Sequence, residues 1–257
     1  MRNMLAMAGK EIQAYFHSPI AYLVLTVYTT LCGFVFYSST AFFVRESFRM
    51  QMSGGGPQAL SLNEYVIRPV LAGVLTVVLL FLIPLITMRL FAEEKRSGTI
   101  ELLLTSPLTD MEIILGKFLG SLFLFAVLEA LTFSYFAVLF IYGNPNAKPL
   151  LANALGMLLY GSALLALGMW ISTFTKNQII AGAVGLAGFL LLYLLDWVTA
   201  YSSSAVGQVM SYLALTTHFD NFSKGVIQLS DVVYYLSVVA LGIFFTARSM
   251  EALKGRP

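Results

Sequence analysis

Charge, cysteine and histidine are all scarce in this chain, and each scarcity removes a class of function. Only 11% of the 257 residues are Asp, Glu, Lys or Arg, against roughly a quarter in soluble domains. A water-soluble globule is excluded, because a core of ordinary size could not hide the 58% of hydrophobic side chains. The single cysteine, Cys32, leaves no disulfide framework or cysteine metal cluster within one chain. His17 and His218 are far apart and fit no His-Glu-x-x-His spacing, and Met50-Gln51-Met52 alone is too little for a soft-metal site, so no metal ligands are assigned. A net charge of +2 is too small to make nucleic acid an expected partner. Neither Gly9-Lys10 nor Gly116-Lys117 completes a phosphate loop, since Met4 and Met111 stand where its first glycine is needed. If ATP is used, another chain must bind it.

What is present is long apolar runs. A hydrocarbon core of ~30 Å needs about 20 helical residues, and six stretches qualify or come close: 20–44, 70–88, 118–142, 150–175, 179–195 and 232–247. The last two are short and are lengthened by snorkelling ends, Asp196 and Trp197 for one, Asp231 and Arg248 for the other. The expected fold is an all-α membrane protein with six spans in one transmembrane domain over 1–257. With the amino end inside, ten Lys and Arg fall on the inner side and five on the outer side (Arg45, Arg49, Arg68, Lys148 and Lys224). The positive-inside rule therefore places both termini in the cytoplasm.

Residues 1–18 read as an interfacial helix, not a signal peptide. Met4, Leu5, Ala8, Ile12, Tyr15 and Phe16 recur at helical spacing, Lys10, Glu11, Gln13 and His17 lie mostly opposite, and Ser18-Pro19 ends the helix. On the outer side, 45–68 reads as a polar loop with a flexible Ser53-Gly54-Gly55-Gly56-Pro57 stretch. Residues 199–230 read either as a re-entrant helical hairpin or as a loop with one amphipathic turn. Within the membrane, Glu129 is the twelfth residue of a 25-residue apolar run. It is either a protonated structural acid, or a proton-linked or substrate-facing group, or part of a polar latch with Thr132 and Ser134. Ala181, Gly185 and Gly188 form a small-residue face for close helix packing, within the chain or against a second one. Pro84 should kink the second span.

Charge concentrates between the second and third spans. Nine of the 28 charged residues lie in 89–117. Ser97-Gly98 breaks the helix leaving the second span, Thr99 is placed to cap a short helix over 100–105, and Ser106-Pro107 ends it. Thr109-x-x-Glu112 then forms a capping box for the third span. Ile100, Leu103 and Leu104 give the short helix an apolar face that needs either a partner or lipid.

The run Glu93-Glu94-Lys95-Arg96-Ser97-Gly98-Thr99-Ile100-Glu101-Leu102-Leu103-Leu104-Thr105-Ser106-Pro107, followed by Glu112-Ile113-Ile114-Leu115-Gly116-Lys117, resembles the signature of type-2 ATP-binding-cassette (ABC) transporter permeases. His218-Phe219-Asp220-Asn221-Phe222-x-Lys224-Gly225, with Asp231-Val232-Val233-Tyr234-Tyr235, resembles the gliding-motility-type subgroup. The resemblance implies a permease subunit of an ATP-driven transporter, an exporter by class, in a bacterial inner membrane. Lipids would surround it and a second permease, identical or paralogous, would complete the membrane part. A cytoplasmic ABC ATPase dimer would hold the ATP and Mg, with no cofactor in this chain. It carries an ATPase-coupling role onto Glu93, Glu94, Gly98, Thr99, Glu101, Leu104 and Pro107. The outer-segment residues singled out are His218, Phe219, Asp220, Phe222, Lys224 and Gly225, and the 199–230 segment as a whole could dock an extracytoplasmic auxiliary protein. Two rivals stand beside this reading. One is an ATPase-coupled subunit that transmits force to that partner without moving a solute; the other is a stand-alone channel or secondary transporter, for which Glu129 is the one intramembrane acid on offer.

Overall fold

The computed structural model describes residues 2–52, 61–143, 145–200 and 205–254. Among them all regular structure is helical, in the order α1 (Arg2–His17), α2 (Pro19–Met52), two π-helical stretches (Asn63–Ile67 and Pro69–Leu75), α3 (Thr76–Thr87), α4 (Ala92–Ser97), α5 (Thr99–Thr105), α6 (Asp110–Tyr142), α7 (Ala147–Ser172), α8 (Gln178–Ala200), α9 (Ala205–Leu213), α10 (Leu215–Ser223) and α11 (Leu229–Lys254). Among the described residues six segments are long and apolar enough to cross a membrane: Pro19–Met52, Asn63–Ser97, Asp110–Tyr142, Ala147–Ser172, Gln178–Asp196 and Leu229–Lys254. Six crossings return the chain to the side on which it began. That side, which carries α1, α4 and α5, is called the near end below, and the opposite side the far end.

The helices outrun the apolar stretches. α2 continues through Arg45 and Arg49, and the second span begins at Asn63, so the polar loop expected over 45–68 is helical at both ends; 53–57 lies outside the described residues. The second span opens in π-helix for a local reason. Pro69 has no N–H to donate and its ring crowds the carbonyl four residues back. The ladder therefore shifts to five-residue bonds, the N–H of Arg68 donating to Asn63 O and that of Thr76 to Leu71 O.

α7 is the central helix. Two-thirds of its apolar window is buried, against 22% for α2 and 17% for α8, so α2 and α8 turn side chains such as Phe34, Tyr37, Ile179 and Leu191 outward. Glycines bring neighbours close to α7. The Phe222 side chain lies on Gly156, the Phe125 ring on Gly161, Thr87 on Gly168, and Gly242 of α11 on the Ala166 backbone. Without bulk water to drive association, such close approach supplies the dispersion contacts that hold spans together. The face predicted on α8 packs within the chain: Gly185 meets Pro84, its neighbour Gly182 meets Met88, and Gly188 meets Ile171, while Ala181 is buried.

α9 and α10 form the helical pair between the fifth and sixth spans. α10 lies beside the first half of α7: Phe222 reaches Gly156 and Phe219 reaches Tyr160. Those positions are about 13 and 19 Å along α7 from its first residue at 1.5 Å per residue.

The α7–α11 contact yields a test. A methyl group at Gly242 would stand 2.8 Å from the Ala166 carbonyl carbon, which is backbone and cannot swing away. Gly242→Ala should lower stability by about 1–3 kcal/mol, the usual cost of overpacking. Gly9→Ala, with nothing within 4 Å of its added methyl, should leave it unchanged or slightly raised. Thermal unfolding of both variants in detergent checks the contrast.

Candidate functional site

At the near end, local sequence sets three short-range features in series. Ala92-Glu93-Glu94-Lys95-Arg96 forms α4, with acids in its first turn and bases in its last, the order that the helix dipole favours. Gly98 stops it at φ +75°, a backbone that only glycine adopts without strain. α5 starts at once, and Ser106, extended before Pro107, ends it. The capping box then appears as expected, Thr109 accepting from the Glu112 N–H and Glu112 accepting from the Thr109 N–H.

Two expectations are corrected here. Gly98, not Thr99, occupies the N-cap of α5; Thr99 Oγ1 instead lies 2.8 Å from Ser97 Oγ. The apolar face of α5 is also turned: Ile100 and Leu103 pack against the core, whereas Leu102 is 72% exposed. Glu101 and Pro107 are exposed beside it, and the Leu104 side chain lies outside the described residues.

The strongest interaction of this end is one the sequence did not disclose. Lys117, in the second turn of α6, is 1% exposed, and its ammonium donates to Glu11 Oε1 at 2.6 Å and to Glu94 Oε1 at 2.8 Å. The Phe91 ring lies 5.3 Å from the same nitrogen, and Lys10 approaches Glu94 at 3.8 Å. Glu11 is therefore on the buried face of α1, not on the polar face assigned to it. That face is Met7, Ala8, Glu11 and Tyr15, and it rests on Gly116 and Gly120 of α6, where added methyls would stand 2.6 Å from Met7 Cβ and Glu11 Cβ. The Gly-x-x-x-Gly at 116–120 was the available signal, since small residues four apart mark a groove for another helix.

Further ties surround this ion triad. Tyr15 donates its hydroxyl to Ile86 O at 3.1 Å, Arg89 bridges Ser18 at 2.9 Å and Glu93 at 2.9 Å, and Lys95 donates to the Thr173 carbonyl at the α7–α8 corner. Burial and the Glu11 carboxylate push the Tyr15 phenol well above its usual range, so it remains a donor. α1, α3, α4, α6 and the α7–α8 corner are thus fastened together around a cleft of about 230 Å³ lined by Lys10, Glu93, Glu94, Ser97 and Thr99. Of the predicted coupling residues, the structure brings Glu93, Glu94 and Thr99 to this cleft and sets Glu101 and Pro107 outside it.

The remaining candidates are elsewhere. Glu129 is buried in α6, and its Oε1 has no hydrogen-bond partner among the described residues. The latch with Thr132 and Ser134 does not form: Thr132 donates to the Tyr28 hydroxyl at 3.2 Å and Ser134 to Leu131 O. At the far end, Asp220 pairs with Lys224 and with Arg68 at 2.7 Å. Partial burial works against ionisation of Asp220, but its two cationic partners outweigh it and hold the carboxyl below the usual range. The pair with Arg68 therefore persists at any pH above the ordinary carboxylate value of about 3.9 and weakens only in stronger acid. Phe219 and Phe222 are core residues on α7, and Gly225, at φ +82°, lies so close to Pro149 that a methyl there would stand 2.8 Å away. His218 is buried between Asp231 and the Tyr212 carbonyl.

Residues 5–249, nearly the whole chain, match the ABC-2 family transporter proteins. The chain belongs to that family. It is 28% identical over 195 residues to a protein named Probable multidrug ABC transporter permease YbhS from Escherichia coli strain K12, and to its counterpart in E. coli O157:H7. The alignment covers 73% of this chain and 51% of each relative, so the chain spans about half the length of the curated relatives it matches. The chain is thus a multi-pass membrane protein of a transporter family.

The ion triad has a measurable signature. Removing one partner of a buried pair strands the others, a loss of about 3–5 kcal/mol. Lys117→Met should therefore be strongly destabilised, while the triple variant Lys117→Met, Glu11→Gln, Glu94→Gln, which strands no charge, should recover most of that loss. Unfolding temperatures of the two variants decide it; equal damage in both would mean that packing, not charge, holds the site.

Proposed function

We infer that this ABC-2 protein is the permease subunit of an ATP-driven exporter in a bacterial inner membrane, with the near end and both termini in the cytoplasm. A separate cytoplasmic ABC ATPase dimer, carrying the ATP and Mg, docks on α5, and a second permease, identical or paralogous, completes the membrane part. The observation that carries the reading is the mounting of α5. It presents Leu102 and Glu101 outward and follows α4, whose Glu94 is clamped through Lys117 to α1 and α6. A docking helix on so stiff a base can pass motion of a partner into the spans. Export is favoured by the E. coli relatives, each named a probable multidrug ABC transporter permease.

The finer likeness of 218–235 to gliding-motility-type permeases supports a second reading, force transmission to an extracytoplasmic partner. The observation in its favour is the apolar surface of the far-end cap, the α9–α10 pair with its connection into α11, where Tyr212, Leu213, Val226, Ile227 and Leu229 are each about half exposed or more. The candidate coupling residues divide between the two roles that α4 and α5 play: Glu93, Glu94, Gly98 and Thr99 as the base, and Glu101, Leu104 and Pro107 with the docking helix.

Co-expression with an ABC ATPase from the same genome tests the main reading. Wild-type chain should retain the ATPase through purification and stimulate its hydrolysis. Leu102→Asp, at an exposed position, should abolish retention at an unchanged unfolding temperature. A folded wild-type chain that retains none of the genome's ABC ATPases would sink the proposal.

A further inference from the structure

The far-end cap contains a histidine whose contacts count protons. His218 on α10 is buried, with its side chain 8% exposed and that of Asp231 5% exposed. Nδ1 lies 2.7 Å from Asp231 Oδ1 and Nε2 lies 3.0 Å from the Tyr212 backbone oxygen. A backbone carbonyl can only accept, so Nε2 must carry a proton. A neutral ring would then turn the bare Nδ1 toward a carboxylate oxygen, lone pair against lone pair. One further proton satisfies both contacts. The second Asp231 oxygen accepts from Asn221 Nδ2 at 2.8 Å, and since a carboxyl is a far stronger acid than an imidazolium, the shared proton sits on the ring.

The surroundings suit a cation. Tyr234 stacks on the imidazole with centroids 3.8 Å apart and planes 19° from parallel, and the Tyr212 ring meets it edge-on at 5.1 Å. An aromatic face stabilises a positive charge laid over it. Tyr235, also from α11, stands further off at 6.4 Å. The other charges near the cap are turned elsewhere. Asp220 is held by Arg68 and Lys224, and Asp196 on α8 accepts from Thr216 and Thr217. From α7, Asn153 donates to Pro149 O and Ser223 O, while the Tyr160 ring packs on Phe219 and Tyr235.

The contacts of this one ring join three elements: the end of α9 through the Tyr212 carbonyl, α10 through His218 itself, and α11 through Asp231. Tyr234 and Tyr235 of α11 add hydroxyl bonds to Leu213 O at 2.8 Å and Leu215 O at 2.6 Å, across the same seam. We propose that α9 and α10 dock on α11 with a proton held between His218 and Asp231, making the pair a proton-binding site that closes the cap in acid and loosens it as pH rises.

The sign follows from linkage. The docked cap holds a proton that the free cap gives up, so lower pH favours docking. Docking weakens as pH rises, by up to tenfold per pH unit for one proton. Neither the ATPase nor a transported solute enters this argument, so it stands apart from the proposed function.

The full-length chain in lipid nanodiscs, labelled with ¹⁵N-histidine, provides the test. It has only two histidines, and His17→Gln assigns the signals. Expected at pH 6 is a His218 ring with both nitrogens protonated. As pH is raised, hydrogen exchange of 205–223, taken relative to α7, should rise by up to tenfold per pH unit. In His218→Gln that pH dependence should vanish. The proposal is overturned if His218 carries a single proton while the cap is still protected. It is equally overturned if wild type and His218→Gln share one exchange profile, and should His218→Gln fail to fold, the wild-type proton count alone decides.

Discussion

A buried lysine between two carboxylates is the constraint on which the near end depends. Lys117 donates to Glu11 from α1 and to Glu94 from α4 while sitting on α6. Taking three charges out of water carries a desolvation penalty of several kcal/mol per ion, which is offset only when the geometry is close and the hydrogen bonds are made. The arrangement is therefore steep in position. α1 cannot slide along α6, nor α4 lift from it, without exposing an unpaired charge to an apolar surround. Gly116 and Gly120 make the geometry available by letting the α1 backbone approach α6, so the ion triad and the glycine groove are one device.

The middle and the far end are held differently. Along α7 the contacts are apolar and close, with Gly156, Gly161 and Gly168 receiving side chains from α10, α6 and α3. Such contacts are stiff in compression but have no preferred partner atom, so they tolerate small sliding better than an ion triad does. At the far end polar ties return: Arg68 to Asp220 links the π-helical start of the second span to α10, and His218 to Asp231 links α10 to α11. The bundle is thus pinned by charge at both ends and packed by shape between them.

How much of this could be read from the residues follows the range of the interactions. The six spans were legible because one crossing needs only a continuous apolar run. The Gly98 stop, the Ser106-Pro107 end and the Thr109–Glu112 capping box were legible because each is settled within four residues. The face of α5 was not. Three consecutive leucines, Leu102 to Leu104, spread apolar positions over more than half of the helix circumference, so its orientation is decided by what it docks on. Nor was the ion triad, whose members Glu11 and Lys117 are 106 residues apart. In sequence Glu11 and Lys10 look alike as solvated charges; only the α6 groove distinguishes the one that is buried. The π-helical start of the second span escaped because it begins inside 45–68, whose polar residues read as a loop when the helices packed against it are not known.

These differences in range also set how a load would travel. A push on α5 enters α4 directly across Gly98, a single residue with no side chain to brace it. From α4 it divides at once: through Glu94 and Lys117 into α6, through the same lysine and Glu11 into α1, and through Lys95 into the α7–α8 corner at Thr173. The direct covalent route into α3 is the remaining path, and it meets Pro84, seated against Gly185 of α8. A helix whose ladder is interrupted by proline bends there before it transmits. The side-chain ties would therefore carry a displacement more rigidly than the backbone does, and α6, fixed by charge at its near end, would move with α1 as one body.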